Sequence, residues 1–148
     1  MKQNLTISQA LKEKNKLAIL IMKNWRKITS FNSIPKGADR PYDIDELKKQ
    51  TLELTDDLIE LKTKIHEASA PVRMKIFRIS EIKNIIIKLE SISTKDGIVR
   101  SRSNEMNLVE MVSVLKINDI DQMVTIYQEE IDNIQAELDN FNYNTKLG

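Results

Sequence analysis

The sequence predicts an all-α protein, an antiparallel four-helix bundle with coiled-coil-type packing and a small β-hairpin before the last helix. Only 3 Gly and 3 Pro interrupt 148 residues, so the elements should be few and long. Two segments carry an apolar residue at alternating steps of four and three, the spacing of a coiled coil. A third segment is rich in β-branched residues and lacks helical spacing, which predicts the hairpin.

Composition limits the kinds of chemistry that the chain can perform. With 41% apolar and 30% charged residues, we expect one globular domain, residues 1–148. The absence of cysteine excludes disulfides, thiolate metal sites and thiol nucleophiles. A net charge of +1 does not favour nucleic acid or a membrane surface. The longest apolar run, Leu17–Met22, is far shorter than the roughly 20 residues of a membrane span, and no secretion signal precedes it. We therefore expect a cytoplasmic protein.

Helix 1 is predicted over residues 7–32. Thr6 can cap it, and Gln9, three residues on, completes a capping box. Its apolar stripe is broad, which indicates contact with more than one neighbour. The stripe comprises Ile7, Leu11, Ala18, Ile21, Trp25 and Ile28, widened by Ala10, Leu17, Leu20 and Phe31.

Helix 2 is predicted over residues 44–68, after a loop (Asn32–Tyr42) that holds two prolines and a glycine. Asp43 caps it, with Glu46 in the reciprocal position of a capping box. Its apolar residues keep the four-three spacing for three heptads. They are Leu47, Thr51, Leu54, Leu58, Leu61, Ile65 and Ala68.

Helix 3 is predicted over residues 71–91, after a tight turn at residues 69–70 between antiparallel helices. Pro71 fits its first turn, where the missing N–H has no intrahelical partner. The run Ile85–Ile87 covers about 200° of the helix circumference. Such a segment is either central in the bundle or covered by a second chain. The candidate oligomer interface, for which we expect a two-fold dimer, comprises Ile85, Ile86, Ile87 and Leu89.

The hairpin is predicted over residues 97–116, with its arms at 97–103 and 108–116 and its tip at Asn104–Asn107. The second arm could also form a helical turn. Helix 4 is predicted over residues 119–141 with Asn118 as its cap, and the polar tail that follows should fray.

Charge alternates in sign from helix to helix. Helix 1 carries six Lys or Arg against one acid, and helix 2 with its cap carries four against eight. Helix 3 carries five against two, and helix 4 has seven acids and no base. An up-down bundle would place each basic helix beside an acidic one, which would select neighbours and register more than it would stabilise the fold.

Candidate site residues are few. His66 is the only histidine, and without a second ligand nearby we interpret it as a solvent-facing residue at a helix C-terminus. No phosphate-binding, dinucleotide, nucleophile or metal motif is present, so we predict no cofactor, no metal and no enzymatic activity. A weak candidate for an anion or nucleic-acid contact comprises Arg73, Arg78, Arg100 and Arg102. For the residues of helix 3 the favoured alternative is a solvated face paired with acidic helices 2 and 4. For the residues of the hairpin the alternative is a charged edge that prevents strand-to-strand aggregation.

Four stretches carry a family resemblance: ALKEKNKLAILI, NSIPKGADRPYDIDELKKQTLEL, LIELKTKIHEASAPV and LDNFNYNTKL. With them the chain resembles the septicolysin-like family of small, uncharacterised bacterial helical proteins. The resemblance implies a helical fold with an inserted hairpin and no established activity. Relatives carry asparagines at the end of helix 2, where this chain has IHEASA.

The functional expectation is a homo-oligomeric structural or protein-interaction module, with itself and an unidentified protein as partners. The alternative is a nucleic-acid accessory protein that uses the basic residues of helix 3 and the hairpin.

Overall fold

A computed structural model describes residues 4–101 and 104–148. The described chain forms four α-helices and a two-stranded antiparallel hairpin before the last helix, as predicted. The elements are α1 (Ile7–Phe31), α2 (Ile44–Ala68), a 3₁₀ turn (Ala70–Val72), α3 (Arg73–Glu90), β1 (Gly97–Ser101), β2 (Asn104–Met111) and α4 (Ile117–Asn144). They divide between a first unit, Met1–Arg73 with Asp139–Gly148, and a second unit, Met74–Leu138.

Local chemistry sets the start of α1 and α2. The Thr6 hydroxyl accepts from the Gln9 backbone N–H, and the Gln9 side chain accepts from the Thr6 N–H, which completes the predicted capping box. The Asp43 carboxylate accepts from the Glu46 N–H at 3.1 Å. The carboxylate of Glu46 accepts from the Gln50 side chain, one turn further along α2.

Contacts at the loop show that α1 and α2 are antiparallel. The Arg40 guanidinium, four residues before α2, donates to the carbonyls of Phe31 and Asn32 at 2.5 and 2.7 Å. Those carbonyls end α1 and have no partner inside the helix, so Arg40 acts as a C-terminal cap. The rings of Phe31 and Tyr42 meet edge to face, with centroids 5.5 Å apart. The end of α1 therefore lies beside the start of α2.

The C-terminal segment closes the other end of this helix pair. The Ile7 N–H donates to the Thr145 carbonyl at 2.8 Å, and the Leu147 N–H donates to the Leu5 carbonyl at 2.9 Å. Thr6 and Lys146 form a β-bridge between these bonds. We call this pairing of 5–7 with 145–147 the terminal clasp. The prediction that this tail frays is wrong, and α4 extends to Asn144 rather than 141.

The core of the first unit follows the predicted four-three spacing of α2. Ile7, Ala10, Leu61 and Val72 are buried, and so is Thr51, whose hydroxyl donates to the Leu47 carbonyl one turn back. This intrahelical bond allows a hydroxyl to occupy a core position without an unsatisfied donor.

Pro71 lies in the short 3₁₀ turn that leads into α3. Regular α3 therefore begins at Arg73 rather than at residue 71. The proline has no N–H to donate, so the first turn is the position where this loss costs least.

Two ion pairs join α3 to α4 within the second unit. Arg78 binds both carboxylate oxygens of Glu130, at 2.8 and 3.1 Å, and Lys75 binds Glu137. Lys75 precedes Arg78 in α3, whereas its partner Glu137 follows Glu130 in α4, so these helices are antiparallel. The basic helix thus meets the acidic one, as the charge pattern predicts. The buried apolar side chains of the unit are Ile79, Ile82, Leu89, Ile120, Ile131 and Leu138.

The hairpin is shorter than predicted and its turn lies elsewhere. Val99 pairs with Val109, Arg100 pairs with Leu108, and Ser101 pairs with Asn104 after an irregularity in register. Residues 104–107, the predicted tip, belong to β2, and residues 112–116 lie outside the strand. The sequence predicts NEMN as the tip, but the pairing of Val99 with Val109 and of Ser101 with Asn104 fixes a different register.

Asp96 closes the base of the hairpin. Its carboxylate accepts from the Ser113 hydroxyl at 2.5 Å, from the Ser113 N–H at 2.8 Å and from the Lys116 ammonium at 3.1 Å. Gly97 follows with φ of 88°, a conformation that favours glycine at this turn. Helix α4 begins two residues earlier than predicted, because Asp119 accepts from the Lys116 N–H and makes Lys116, not Asn118, the cap.

Hydrogen bonds from Ser113, and then the Lys116 ammonium, lower the pKa of Asp96 from 3.8 to about 2. A lowered pKa means that the folded state favours the ionised carboxylate. The base of the hairpin should thus be fully stabilised above about pH 4 and lose this contribution as the pH falls toward 2. We expect the Asp96 carboxyl carbon signal to titrate with a midpoint near 2 in NMR spectra. Ser113→Ala should move that midpoint upward, and an unchanged midpoint would contradict the assigned cause.

Candidate interaction surface

One side of the α1–α2 pair exposes large apolar side chains. Met22 and Trp25 on α1 are 45% and 41% exposed, and Leu52 and Ile59 on α2 are 50% and 57% exposed. We call the surface formed by these four residues the apolar face. Its geometry follows from the position of each residue relative to the core.

On α1 the apolar face is a second heptad stripe, one residue after the core stripe. The core positions are Ala10, Lys14, Leu17, Ile21, Asn24 and Ile28, which are buried or half-buried. The next residues are Leu11, Asn15, Ala18, Met22, Trp25 and Thr29, which keep the same four-three spacing and include no charge. One residue is about 100° of rotation, so this stripe points to one side of the helix pair.

On α2 the second stripe has the same offset. Leu52 follows the buried Thr51, and Ile59 follows the half-buried Leu58. Two antiparallel helices that face each other carry offsets of the same sense to the same side of the pair. Met22 lies nine residues before the end of α1 and Leu52 lies eight residues after the start of α2, so they stand at nearly the same height. The full stripe on α2 is Lys48, Leu52, Thr55, Ile59, Lys62 and His66.

The opposite side of the pair is charged. Most of the residues that precede the core positions are charged, mainly basic on α1 and mainly acidic on α2. The members that follow this pattern are Lys16, Lys23 and Lys27 on α1, and Glu46, Glu53, Asp57 and Glu60 on α2, whereas Glu13, Leu20 and Lys64 depart from it. The helix pair is therefore amphipathic, with one charged side suited to water and one apolar side suited to a further layer of protein.

The hairpin region carries a separate set of exposed apolar side chains. Ile98 on β1 and Leu108 on β2 are exposed, and Val112 and Val114 just after β2 are more exposed still. This group lies in the second unit.

The isoleucine run of α3 is only partly available as a surface. Leu89 is buried and Ile85 and Ile86 are half-buried, whereas Ile87 is 61% exposed. Of the four residues predicted to form an oligomer interface on this helix, only Ile87 is exposed.

The arginines named as an anion contact do not form one described cluster. Arg78 binds Glu130, which raises the pKa of Arg78 and lowers that of Glu130. Arg73 donates to the His66 carbonyl at 3.1 Å. Arg100 is exposed on β1, and Arg102 lies outside the described residues. Arg78 thus has a carboxylate partner on α4, and Arg73 has a carbonyl partner on α2.

His66 is exposed in the last turn of α2, and its Nε2 lies 3.2 Å from the Arg73 guanidinium. Within residues 4–101 and 104–148, no group of three or more His, Asp or Glu side chains could hold a metal ion. No helix in the described part of the chain is long and apolar enough to cross a membrane.

The apolar face was not singled out from the sequence. Leu11, Ala18 and Trp25 were assigned together with Ile21 and Ile28 to one broad stripe of helix 1. The signal that separates them is the absence of charge at six successive heptad positions of α1, together with Leu52 and Ile59 seven residues apart on α2.

Comparison with known proteins shows the fold but no activity. No protein-family model and no curated protein matches the chain. A functionally unknown conserved protein from Corynebacterium diphtheriae has a similar structure, with a TM-score of 0.69 and 12% sequence identity. The similarity covers 99% of this chain and 100% of that one. The chain therefore shares its fold with at least one other protein.

Proposed function

We propose that the protein is a non-enzymatic structural or protein-interaction module that acts as a homo-oligomer of helical-bundle type. The observation that carries this proposal is the amphipathic α1–α2 pair, whose apolar face is exposed in the part of the chain that the structure describes. An uncovered set of large apolar side chains on ordered helices is typical of protein contact surfaces.

The predicted four-helix bundle becomes part of this proposal. The described antiparallel pairs are α1 with α2, joined at the loop by Arg40, and α3 with α4, joined by two ion pairs. A bundle requires each helix to contact two neighbours, which demands a second stripe. α1 and α2 carry that second stripe, so packing against a further pair of helices in a bundle would explain why both helices have two stripes.

Light scattering coupled to size exclusion tests the proposal at micromolar concentration. We expect a mass at least twice 17.1 kDa, and a mass near 17.1 kDa over a hundredfold concentration range would overturn it.

The hairpin group Ile98, Leu108, Val112 and Val114 is proposed as the contact for a further protein partner. The resemblance to septicolysin-like proteins stays a prediction and adds no activity to this proposal.

A further inference from the structure

We infer that the apolar face binds the same face of a second copy, with α1 of one chain over α2 of its partner, to form an intermolecular four-helix bundle. This inference rests on the proposed homo-oligomer and names the surface and the geometry that produce it.

A second copy fits the apolar face because its helices carry the same pattern. The face has two antiparallel heptad stripes, and the layer that would cover it needs two antiparallel heptad stripes in return. Another copy presents such a layer, with matching length and spacing. Helices of 25 residues are about 37 Å long and two of them side by side are about 20 Å wide, so the side of the pair that holds the apolar face covers about 700 Å² per chain. That area is close to the 800 Å² per partner of a standard specific interface.

Charge selects the orientation of the two copies. Two copies can stack face to face about either of two two-fold axes that lie in the plane of the interface. The first, perpendicular to the helices, places α1 over the partner's α1. The second, parallel to the helices, places α1 over the partner's α2. The α2 stripe of the face carries Lys48 and Lys62, whereas the α1 stripe carries no charge. The first axis also places α2 over the partner's α2 and brings the lysines of both copies together, whereas the second places each lysine over the uncharged stripe. The axis therefore runs parallel to the helices.

In this orientation each residue of the partner lies at the same height along the helix axis as the equivalent residue of the first chain. Met22 of one chain then faces Leu52 of the partner, because the two residues stand at nearly the same height in one chain. Trp25 lies one turn from Met22 and becomes covered by the partner. Trp25 is the single tryptophan of the chain, so its fluorescence reports on this surface and no other.

Substitutions on and off the face test the inference in the full-length protein. Met22→Glu and Ile59→Glu place a carboxylate on the apolar face, where it would be buried without a partner. The matched control is Ile19→Glu, on the side of α1 away from the core, where the isoleucine is 49% exposed. Ile87→Lys tests the isoleucine run of α3 as the competing interface. We expect each face variant to raise the dimer dissociation constant about 100-fold or more, with the Ile19 and Ile87 variants close to wild type.

Two further measurements do not depend on a face variant that folds. Trp25 emission of the wild-type protein should shift to shorter wavelength as concentration rises through the dissociation constant. The chain has no cysteine, so a mixture of Met22→Cys chains and Leu52→Cys chains should form a disulfide-linked heterodimer on oxidation. A mixture of Ile19→Cys and Leu52→Cys chains should not.

The outcomes separate the inference from the proposed function. A wild-type monomer would overturn both. A wild-type oligomer that persists in Met22→Glu and Ile59→Glu, or that Ile87→Lys dissociates, would overturn this inference and leave the homo-oligomer standing. An unchanged Trp25 emission across assembly would also overturn it. Crosslinking between Met22→Cys chains alone, equal to that of the mixture, would contradict the orientation.

Discussion

Ile82→Ala should destabilise the protein by about 2–5 kcal/mol, the usual cost of removing a fully buried isoleucine side chain beyond Cβ. Ile82 is 0% exposed, and it is the largest side chain in the second unit that is completely buried. Among the residues of that unit whose burial the structure describes, six apolar side chains are buried, all of them isoleucine or leucine. A cavity at Ile82 therefore removes contacts that few other side chains can replace. A loss of this size is a large part of the 5–15 kcal/mol that stabilises a typical domain.

Ile87→Ala provides the matched control, because it makes the same chemical change in the same helix at a position that is 61% exposed. Its expected cost is below about 1 kcal/mol, mostly because alanine favours the helix and little apolar surface returns to water. Urea denaturation followed by circular dichroism at one protein concentration measures both. Equal losses at the two positions would mean that Ile82 is not a core residue.

Sequence reasoning succeeded where the cause of structure is local. Thr6 and Gln9 form the predicted capping box, and Asp43 caps α2, because each uses a side chain within three residues of the bond that it makes. Pro71 marks a boundary for the same reason. The start of α4 was placed wrongly, since its cap, Lys116, is not a usual capping residue and depends on Asp119 and on the distant Asp96.

The remaining errors come from interactions between residues far apart in sequence. β2 includes residues 104–107, and Asn104 pairs with Ser101 of β1, a register that local turn propensity could not predict. Ile85–Ile87 form an apolar run, but only the tertiary structure shows which of the three stays exposed. The apolar face requires knowledge that α1 and α2 are antiparallel neighbours, because only then do Met22 and Leu52 fall on one side. The sequence predicts which residues form a stripe, but only the tertiary structure shows whether that stripe is exposed.

The terminal clasp is a long-range feature of this kind, and its removal is the second large effect that we expect. A chain truncated after Asn144 should lose about 2–3 kcal/mol of stability. The two hydrogen bonds between the N-terminal and C-terminal segments disappear, and so does the contact of the half-buried Leu147. A chain that lacks only Gly148, which is exposed and lies outside both hydrogen bonds, is the control and should match wild type. Urea denaturation of the three chains gives the comparison.

The backbone amide of Ile7 distinguishes the clasp from a general loss of stability. Ile7 is the first residue of α1, so its N–H has no acceptor inside the helix and depends on the Thr145 carbonyl. The Gln9 N–H, two residues on, keeps its bond to the Thr6 hydroxyl in the same turn. Truncation after Asn144 should therefore accelerate hydrogen exchange at Ile7 by more than at Gln9, under conditions where the protein stays folded. If both amides accelerate equally, the whole turn depends on the clasp. If neither does, residues 145–147 do not hold the start of α1, and the clasp does not stabilise the helix pair.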